Sequence, residues 1–324
     1  MHKYLISLLL IAVLAGTGAA ENKSAFRTFT AGEGRYIYGY TEYRISGKVN
    51  ESDSLLWGSR LRFPVDGVYA GGSLDFLFNT ALPFRLFAQV YTNVINPVSS
   101  MEDEDWYQDE YGNRLGFSYS HSGSSSRLIW IDAGIGLDII EISGFSHTLQ
   151  AGINLAFLRQ DVIGGEALQY TQEGGIRKVT LPNETVLDYE IDYYIPYIGY
   201  RFVAQPITKV SLSLELCALA SFSRDLDDHV LRNKTAVGTA FGGGASADLG
   251  FRYRFIEDAR FTPVFSVSGS ILWLYETGTQ RQDWYGDDPA SDTDDTGSSV
   301  SDIPYSNTLF LLSGSGFLGF EYRY

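Results

Sequence analysis

The chain has 324 residues, with 39 Asp and Glu against 24 Lys and Arg, and a formal net charge of −15. Because 44% of the residues are hydrophobic and 15% aromatic, the chain can bury a large apolar surface, which excludes intrinsic disorder. The acidic charge argues against nucleic acid as a partner, since phosphate binding needs a basic surface. Cys217 is the single cysteine and can form no intramolecular disulfide, and no Cys/His pair has the spacing of a metal site.

Residues 1–20 have the features of a secretory signal peptide. Lys3 supplies the positive start, residues 5–14 form an apolar stretch, and small residues at 18–20 precede a cleavage site. Removal of Lys3 changes the net charge from −15 to −16 for the predicted mature chain, 21–324. After residue 20 no run of 18 apolar residues occurs, so any membrane-spanning role must use strands. Three histidines remain in the mature chain: His121, His147 and His229.

Apolar and polar residues alternate with a period of two through much of the mature chain, which predicts β-strands. Residues 129–139 and 245–255 are clear examples. Together with the turn signals, the alternation predicts ten strands, at 35–47, 54–78, 84–94, 126–142, 146–160, 186–204, 207–222, 240–256, 260–277 and 306–324. A turn at 64–67 could divide the second of them.

The predicted connections alternate in length. Short ones lie near 79–83, 143–145, 205–206 and 257–259, and mostly long, polar and acidic ones lie near 48–53, 95–125, 161–185, 223–239 and 278–305. Short turns on one side, long loops on the other and an even strand number are typical of outer-membrane barrels. The predicted fold class is all-β: a ten-stranded antiparallel transmembrane β-barrel with long extracellular loops and short periplasmic turns. A periplasmic β-sandwich is the soluble alternative.

Both ends of the mature chain agree with a barrel. The final strand alternates Leu318 and Phe320 with Gly319 and Glu321, and the chain stops on an aromatic residue. An apolar outer face with an aromatic end is what such a barrel presents to lipid. Near the start, three alternating tyrosines fit either an aromatic girdle or ordinary strand packing: Tyr36, Tyr38 and Tyr40.

Two acidic segments are candidates for chemistry. Residues 102–106, Glu-Asp-Glu-Asp-Trp, fall in the connection after the third predicted strand, and residues 225–229, Asp-Leu-Asp-Asp-His, lie just beyond the seventh. Connections after odd-numbered strands share one side of an up-and-down barrel. Residues two apart in extended backbone point the same way, so Asp103 is expected beside Asp105, and Asp227 beside His229.

Such a set of groups can activate water. A carboxylate beside an imidazole fixes its tautomer, and two close carboxylates push their pKa values apart so that one holds a proton near neutrality. His229 with one carboxylate could then deprotonate a water, without a covalent nucleophile. The alternative is that both segments are solvated surface loops.

Other motifs have ordinary structural interpretations. The acidic residues at 287–288 and 292–295 are expected to form a solvated loop, with weak divalent-cation binding as the alternative. Cys217 is expected to be a small buried or lipid-facing strand residue. The three glycines at 242–244 are not followed by Lys and Ser or Thr, so a phosphate-binding loop is not expected there.

At the two acidic segments the sequence resembles the omptins, ten-stranded outer-membrane endoproteases of Gram-negative bacteria. Their Asp-x-Asp-Trp segment is matched by residues 103–106 and their Asp-x-His segment by residues 227–229, in the same order. Looser similarity lies at 59–63 and 195–199. The resemblance implies proteolysis by a water held between His229 and Asp103, with Asp227 orienting His229 and Asp105 completing the carboxylate pair.

Further expectations follow from the resemblance. Omptins commonly cleave between basic residues with an acidic pocket, in which Asp225 matches one acid and Glu42 is the nearest candidate for the other. Glu42 is one position off the pattern, which would point it to the wrong face of the strand. Omptins also need lipopolysaccharide, which they bind through a Tyr-x-Glu-x-Arg pattern on the outer wall. The corresponding positions here are apolar: Ile153, Leu155 and Phe157.

The sequence therefore predicts an omptin-like endopeptidase in the bacterial outer membrane, with its site facing the cell exterior. The expected partners are outer-membrane lipid and peptides with cationic segments, which an acidic rim attracts. No cofactor and no metal are expected, lipopolysaccharide is a conceivable activator, and the barrel is expected to be a monomer. The alternative is a non-enzymatic barrel: a structural protein, an adhesin or a narrow porin.

Overall fold

The structure, a computed structural model, describes residues 26–48, 56–80, 83–142, 144–170, 175–256, 260–289 and 294–323. The predicted signal peptide lies outside these residues. The strands are β1 Phe26–Lys48, β2 Leu56–Pro64, β3 Gly67–Phe78, β4 Phe84–Ile95, β5 Ser99–Gln108, β6 Arg114–Ile142, β7 Phe145–Tyr170, β8 Ile176–Ile207, β9 Val210–His229, β10 Lys234–Arg254, β11 Phe261–Trp284 and β12 Ser299–Arg323. A single 3₁₀ turn, Val230–Arg232, joins β9 to β10. Among these residues, no helix has the length and apolar character needed to span a membrane.

These segments form ten barrel strands. β2 and β3 pair with consecutive parts of β1, so together they form one interrupted strand. β4 and β5 likewise pair with consecutive parts of β6, and on their other side with β3 and β2, so they form a second interrupted strand. The first interruption falls within the predicted turn at 64–67. All neighbours are antiparallel, and β12 pairs with β1 from Arg27↔Arg323 to Ile45↔Tyr305. The predicted ten-stranded antiparallel barrel is confirmed.

An apolar belt runs around the outside of the barrel. On β9 the side chains of Leu212, Leu214 and Leu216 are outward and exposed, while Cys217 and Leu219 are buried in the lumen. From Leu212 to Phe222 the strand rises about 33 Å, which at a tilt of about 40° spans about 25 Å, the height of the apolar band in outer-membrane barrels. The alternation in the sequence is therefore the alternation between lipid-facing and lumen-facing side chains.

Aromatic residues border this belt. At one edge Phe222 packs between Tyr194 and Phe241, with ring centroids 5.9 and 4.8 Å away. Tyr40, from the predicted girdle, packs against Phe310 at 5.8 Å. Aromatic pairs also lie at the opposite edge, where the chain turns: Phe145 with Phe202, Phe261 with Phe320, and Phe78 with Phe84. Two girdles of this kind mark the two membrane–water interfaces of a barrel.

The strands continue well beyond the girdle that contains Phe222 and Tyr40, here called the upper girdle. This differs from the expectation of long loops. Most of the predicted connections at 95–125, 161–185, 223–239 and 278–305 belong to strands, leaving short rim connections such as 109–113 and 230–233. Above the membrane the outer face of the barrel meets water, so polar residues occupy both faces and the period-two pattern disappears. The backbone ladder needs no such pattern and persists.

The upper lumen is closed by an aromatic floor, defined as Tyr43, Phe63, Tyr189 and Tyr305. Phe63 and Tyr189 stack with centroids 4.3 Å apart, and Tyr43 contacts the other three rings. None of the four side chains is more than 3% exposed. Toward the turn end lies a separate polar cavity of about 600 Å³, lined by charged groups such as Arg201, Asp132 and Asp248. None of the four floor side chains lines this cavity.

The outer face of β9 offers a test of the membrane boundary. Leu216→Arg places a charge in the middle of the belt and should lower the free energy of unfolding by about 2–4 kcal/mol, whereas Leu226→Arg, above the girdle on the same face, should cost at most about 1 kcal/mol. Guanidinium titration of the barrel refolded into lipid vesicles measures both. Equal costs at the two positions would contradict the assigned belt.

Candidate functional site

The first acidic segment lies in a strand rather than in a loop. Asp103 and Asp105 are in β5, paired with Leu61 and Ser59 of β2, whose side chains are buried in the lumen. Strand alternation therefore directs both Asp side chains inward. Glu104 points outward, where Arg60 pairs with it at 3.1 Å. The prediction that Asp103 and Asp105 share a face is confirmed. They lie in a strand that is hydrogen-bonded on both sides, however, and not in the predicted loop.

Trp106 fixes the end of this segment. Its ring packs over Gly58 of β2, where an added Cβ would come within 2.5 Å of the indole. Trp106 is 8% exposed. Glycine at position 58 thus allows the close approach that holds β5 on β2 next to the carboxylates.

The second acidic segment forms the rim end of β9, again within a strand. Asp225 and Asp227 are buried in the lumen and His229 follows on the same face. The Nε2 atom of His229 lies 3.0 Å from Oδ2 of Asp227. The expected placement of Asp227 beside His229 is therefore present as a direct contact.

The floor tyrosines hold the β9 acids from below. Tyr43 donates its hydroxyl hydrogen to Oδ2 of Asp227, and Tyr305 donates to Oδ2 of Asp225 at 3.1 Å. Gly238 of β10 leaves room for Asp225, since an added Cβ would collide with its Oδ1. These tyrosines are site residues that the sequence reasoning missed, because β1 and β12 are brought to β9 only across the lumen.

The charges of the two acidic segments act on each other inside the barrel. Burial raises the pKa of Asp103 well above its usual range, and the charges of Asp105 and Asp227 add to that rise. Burial together with Asp227 raises the pKa of Asp225 to about 7. An Oδ1 oxygen of Asp103 and one of Asp227 have no hydrogen-bond partner among the described residues. Asp103, an acid with a raised pKa, thus shares the upper lumen with the Asp227–His229 pair.

Glu42 does not join this group. Its neighbours Thr41 and Tyr43 point into the lumen, so Glu42 points to the outer wall. There its two carboxylate oxygens pair with Arg44 at 2.7 Å and Arg62 at 2.6 Å. The expectation that Glu42 is the second acid of a substrate pocket is wrong, and the reason is the one-residue offset in strand register.

Lys234 is a further site residue that the sequence analysis missed. It is the cross-strand partner of His229 and is 5% exposed. Burial and the charge of Arg232 lower the pKa of Lys234 to about 8, against the opposing effect of Asp227 and Asp105. Its position could be recognised only once the predicted loop at 223–239 is seen as a tight hairpin. Asn233, in the left-handed conformation with φ of 49°, closes that hairpin.

The rim connection after β11 is partly buried, which corrects the expectation of a solvated loop. Asp288 is 2% exposed and accepts hydrogen bonds from Nε and Nη2 of Arg232 at 3.0 and 2.8 Å. Of the other acids in this connection, Asp287, Asp294 and Asp295 are described, and the residues at 292–293 lie outside the described part. This ion pair fastens the connection to the β9–β10 hairpin.

No group of three or more His, Cys, Asp or Glu side chains is arranged to hold a metal ion in the described part of the chain. Cys217 lies in the membrane-level lumen, where its sulfur is 3.7 Å from both Nε2 of Gln150 and Oε1 of Glu215. The described residues give the upper lumen carboxyl groups, the imidazole of His229 and the ammonium of Lys234, together with the floor tyrosine hydroxyls. Such a set can position a water, accept its proton and donate another.

The barrel is similar to a solved structure, the outer membrane protease OmpT from Escherichia coli. The TM-score is 0.72 at 14% sequence identity, and the match covers 94% of this chain and 99% of OmpT. The translocator domain of the autotransporter NalP from Neisseria meningitidis has a TM-score of 0.30 at 10% identity, with coverages of 100% and 96%. No family model and no curated protein matches the sequence.

The fold expected from the resemblance to the omptins is thus confirmed: the chain folds as an outer-membrane-type barrel like that of OmpT. The match covers nearly the full length of both chains, so the rim strands are included. At 14% identity the likeness establishes the fold, and activity rests on the geometry of the site.

The raised pKa of Asp225 makes folding stability depend on pH. The unfolded carboxyl titrates near 3.8 and the folded one near 7, so between these values the unfolded chain releases a proton that the folded barrel retains. The free energy of unfolding should therefore fall as the pH rises from about 4 to about 7. Asp225→Asn should remove this loss, and stabilise the barrel by about 2–4 kcal/mol at pH 8 but little at pH 4.

Guanidinium unfolding of both proteins across this pH range measures the difference. The matched control is Glu110→Gln, because Glu110 is an exposed acid outside the lumen. A gain from Asp225→Asn that is the same at pH 4 and pH 8 would contradict the titration.

Proposed function

We propose that this protein is an omptin-like endopeptidase that hydrolyses peptide bonds with an activated water. The observation that carries the proposal is that Asp103 and Asp105 of β5 face the lumen with Asp227 of β9, whose charge acts on buried Asp103, while Asp227 contacts His229 at 3.0 Å. These residues are far apart in sequence and share one side of the aromatic floor. OmpT is itself an outer membrane protease, which agrees with this assignment.

In the proposed reaction, His229 accepts a proton from a water that lies between it and Asp103. Asp227 holds the imidazole at 3.0 Å and stabilises the imidazolium that forms. Asp103, which keeps a proton because of burial and its acidic neighbours, hydrogen-bonds the oxyanion or the leaving amine. Asp105 lies on the same face of β5 as Asp103 and raises the pKa of Asp103, which favours the proton there. No covalent intermediate is required.

Substrates are proposed to carry a basic residue next to the bond that is cleaved. Asp225 lies in the lumen beside Asp227 and offers the acid for such a side chain, while Glu42 is absent from this face. Of the two acids expected in the substrate pocket, Asp225 therefore faces the lumen and Glu42 does not. The acidic net charge, −16 for the predicted mature chain, attracts cationic peptides at a distance, and this attraction weakens with added salt.

We further propose that the barrel resides in the bacterial outer membrane with the rim facing the cell exterior. Support comes from the apolar belt, the two aromatic girdles and the predicted signal peptide. The wall at Ile153, Leu155 and Phe157 offers no charged side chain at these positions to a lipopolysaccharide headgroup. Activity without added lipopolysaccharide is therefore expected.

The rival function, a narrow pore, is disfavoured by the aromatic floor. Tyr43, Phe63, Tyr189 and Tyr305 come from four different strands and are packed ring against ring, which obstructs the lumen between the rim and the turn-end cavity. An open channel would need these rings to separate. Planar-bilayer recordings of the refolded protein should accordingly detect no steady conductance.

Replacing the imidazole tests the reaction. His229→Ala should lower kcat/KM for a fluorogenic peptide with a basic residue at the cleavage site by about 10²–10⁴-fold, the range that a general base contributes. His121→Ala is the control, because His121 is an exposed rim histidine whose ring Nδ1 lies 3.2 Å from the Ser100 hydroxyl. Undiminished hydrolysis by refolded His229→Ala protein would refute the mechanism.

The choice of pocket acid has its own test. Asp225→Asn should reduce the preference for a basic over a neutral peptide by about tenfold, since a buried charge pair is lost. Glu42→Gln should leave the preference unchanged, because Glu42 lies on the outer wall. Ratios of kcat/KM for paired Arg and norleucine peptides measure both variants. A larger change from Glu42→Gln would reverse the assignment.

A further inference from the structure

Lys234 lies beside the proposed reacting groups. The β9–β10 hairpin pairs it directly with His229, so the two side chains are neighbours on the lumen face. Its Nζ donates to Oε1 of Gln282 at 3.4 Å and lies 5.7 Å from the centroid of the Trp284 ring. Lys234 is therefore a buried ammonium whose closest polar partner is a neutral amide.

The charges around Lys234 are mainly acidic. Asp227 and His229 face it from β9, Asp105 faces it from β5, with Asp103 next to Asp105, and Asp288 and Arg232 face it from the rim connections. The charge of Arg232 is paired with Asp288. Among the described residues, no carboxylate lies within the 4 Å of an ion pair from Lys234, so its field acts on several acids at once rather than on one partner.

This arrangement is a poor way to stabilise a fold. A buried ammonium without a direct carboxylate partner is costly, and an apolar side chain of similar length would pack in its place at lower cost. A buried cation that faces four carboxyl groups is instead a means of setting which of them are ionised.

We infer that Lys234 is a positioning residue of the peptidase site: its buried ammonium, paired across the hairpin with His229, offsets the negative charge of the facing acids and so sets how readily Asp103 takes up a proton. The inference rests on the proposed function, since it assigns the protonation state that the water-activating step requires. With a pKa near 8, Lys234 is cationic at neutral pH and loses its charge under mildly alkaline conditions. The effect of Lys234 on the reaction passes through the two β5 acids.

The test is the pH dependence of kcat/KM for the basic fluorogenic peptide between pH 4 and 9. Lys234→Met removes the charge but keeps a side chain of similar length. The acidic limb of the pH profile, which reports the β5 carboxyl groups, should then shift to higher pH by about one unit. Lys234→Arg keeps a cation and should stay within about 0.3 pH unit of the wild type. Lys178→Met is the control, because Lys178 pairs with Glu166 on exposed rim strands.

A chemical version of the test covers the case in which Lys234→Met does not fold. Lys234→Cys in a Cys217→Ser background is alkylated before refolding, either with bromoethylamine, which restores an ammonium, or with iodoacetamide, which does not. The aminoethylated protein should have the wild-type pH profile, and the carbamidomethylated protein the profile expected for Lys234→Met.

The outcomes separate the two proposals. Wild-type protein that hydrolyses the peptide, with an unchanged profile in Lys234→Met or equal profiles for the two alkylated forms, overturns the role of Lys234 and leaves the peptidase assignment intact. Refolded wild-type protein that does not hydrolyse the peptide overturns the peptidase assignment. A uniform loss of kcat/KM in Lys234→Met without a shift of the limb indicates packing alone and also overturns the inference.

Discussion

Closure of the sheet by the β1–β12 ladder is the constraint on which the rest of the molecule depends. The ladder extends from Arg27↔Arg323 to Ile45↔Tyr305 and leaves no free edge between the first and last strands. In lipid a backbone group without a hydrogen-bond partner is costly, so a spanning sheet must close. Closure also confines the inward side chains of every strand to one lumen. Acids from β5 and β9, which are never neighbours in the sheet, are thereby forced into the same small volume.

The confined acids are energetically unfavourable, and the surrounding residues reduce the cost in two ways. Tyrosines of the aromatic floor donate hydrogen bonds to Asp225 and Asp227, and Lys234 supplies a buried positive charge. Neither removes the cost, since burial still raises the pKa of Asp103 and Asp225. Sites that place perturbed acids together at the expense of stability are frequently functional. The rigid ladder under the rim is what keeps such groups from moving apart.

Most of the fold could be predicted from the sequence because lipid imposes a period of two. Where β9 crosses the belt, Leu212, Leu214 and Leu216 alternate with polar or small residues, and the strand is evident. Above the girdle the outer face meets water, so apolar residues are not required there. The strand continues through Arg224 and Asp228 without the alternating pattern that would predict it. The site was predicted in part for the same reason: Asp103, Asp105, Asp227 and His229 lie in motifs, whereas Tyr43, Tyr305 and Lys234 are recognisable only by contact.

The sequence by itself determined the class of fold, the number of strands and the four residues whose spacing places them in pairs on one face. These are local properties, since alternation and residue spacing depend on a few neighbouring positions. The tertiary structure decided which pairs face each other, that Glu42 pairs with Arg44 and Arg62, and that Asp288 is buried with Arg232. Strand register and barrel closure fix these facts, and both are set by pairing between segments that are distant in the chain.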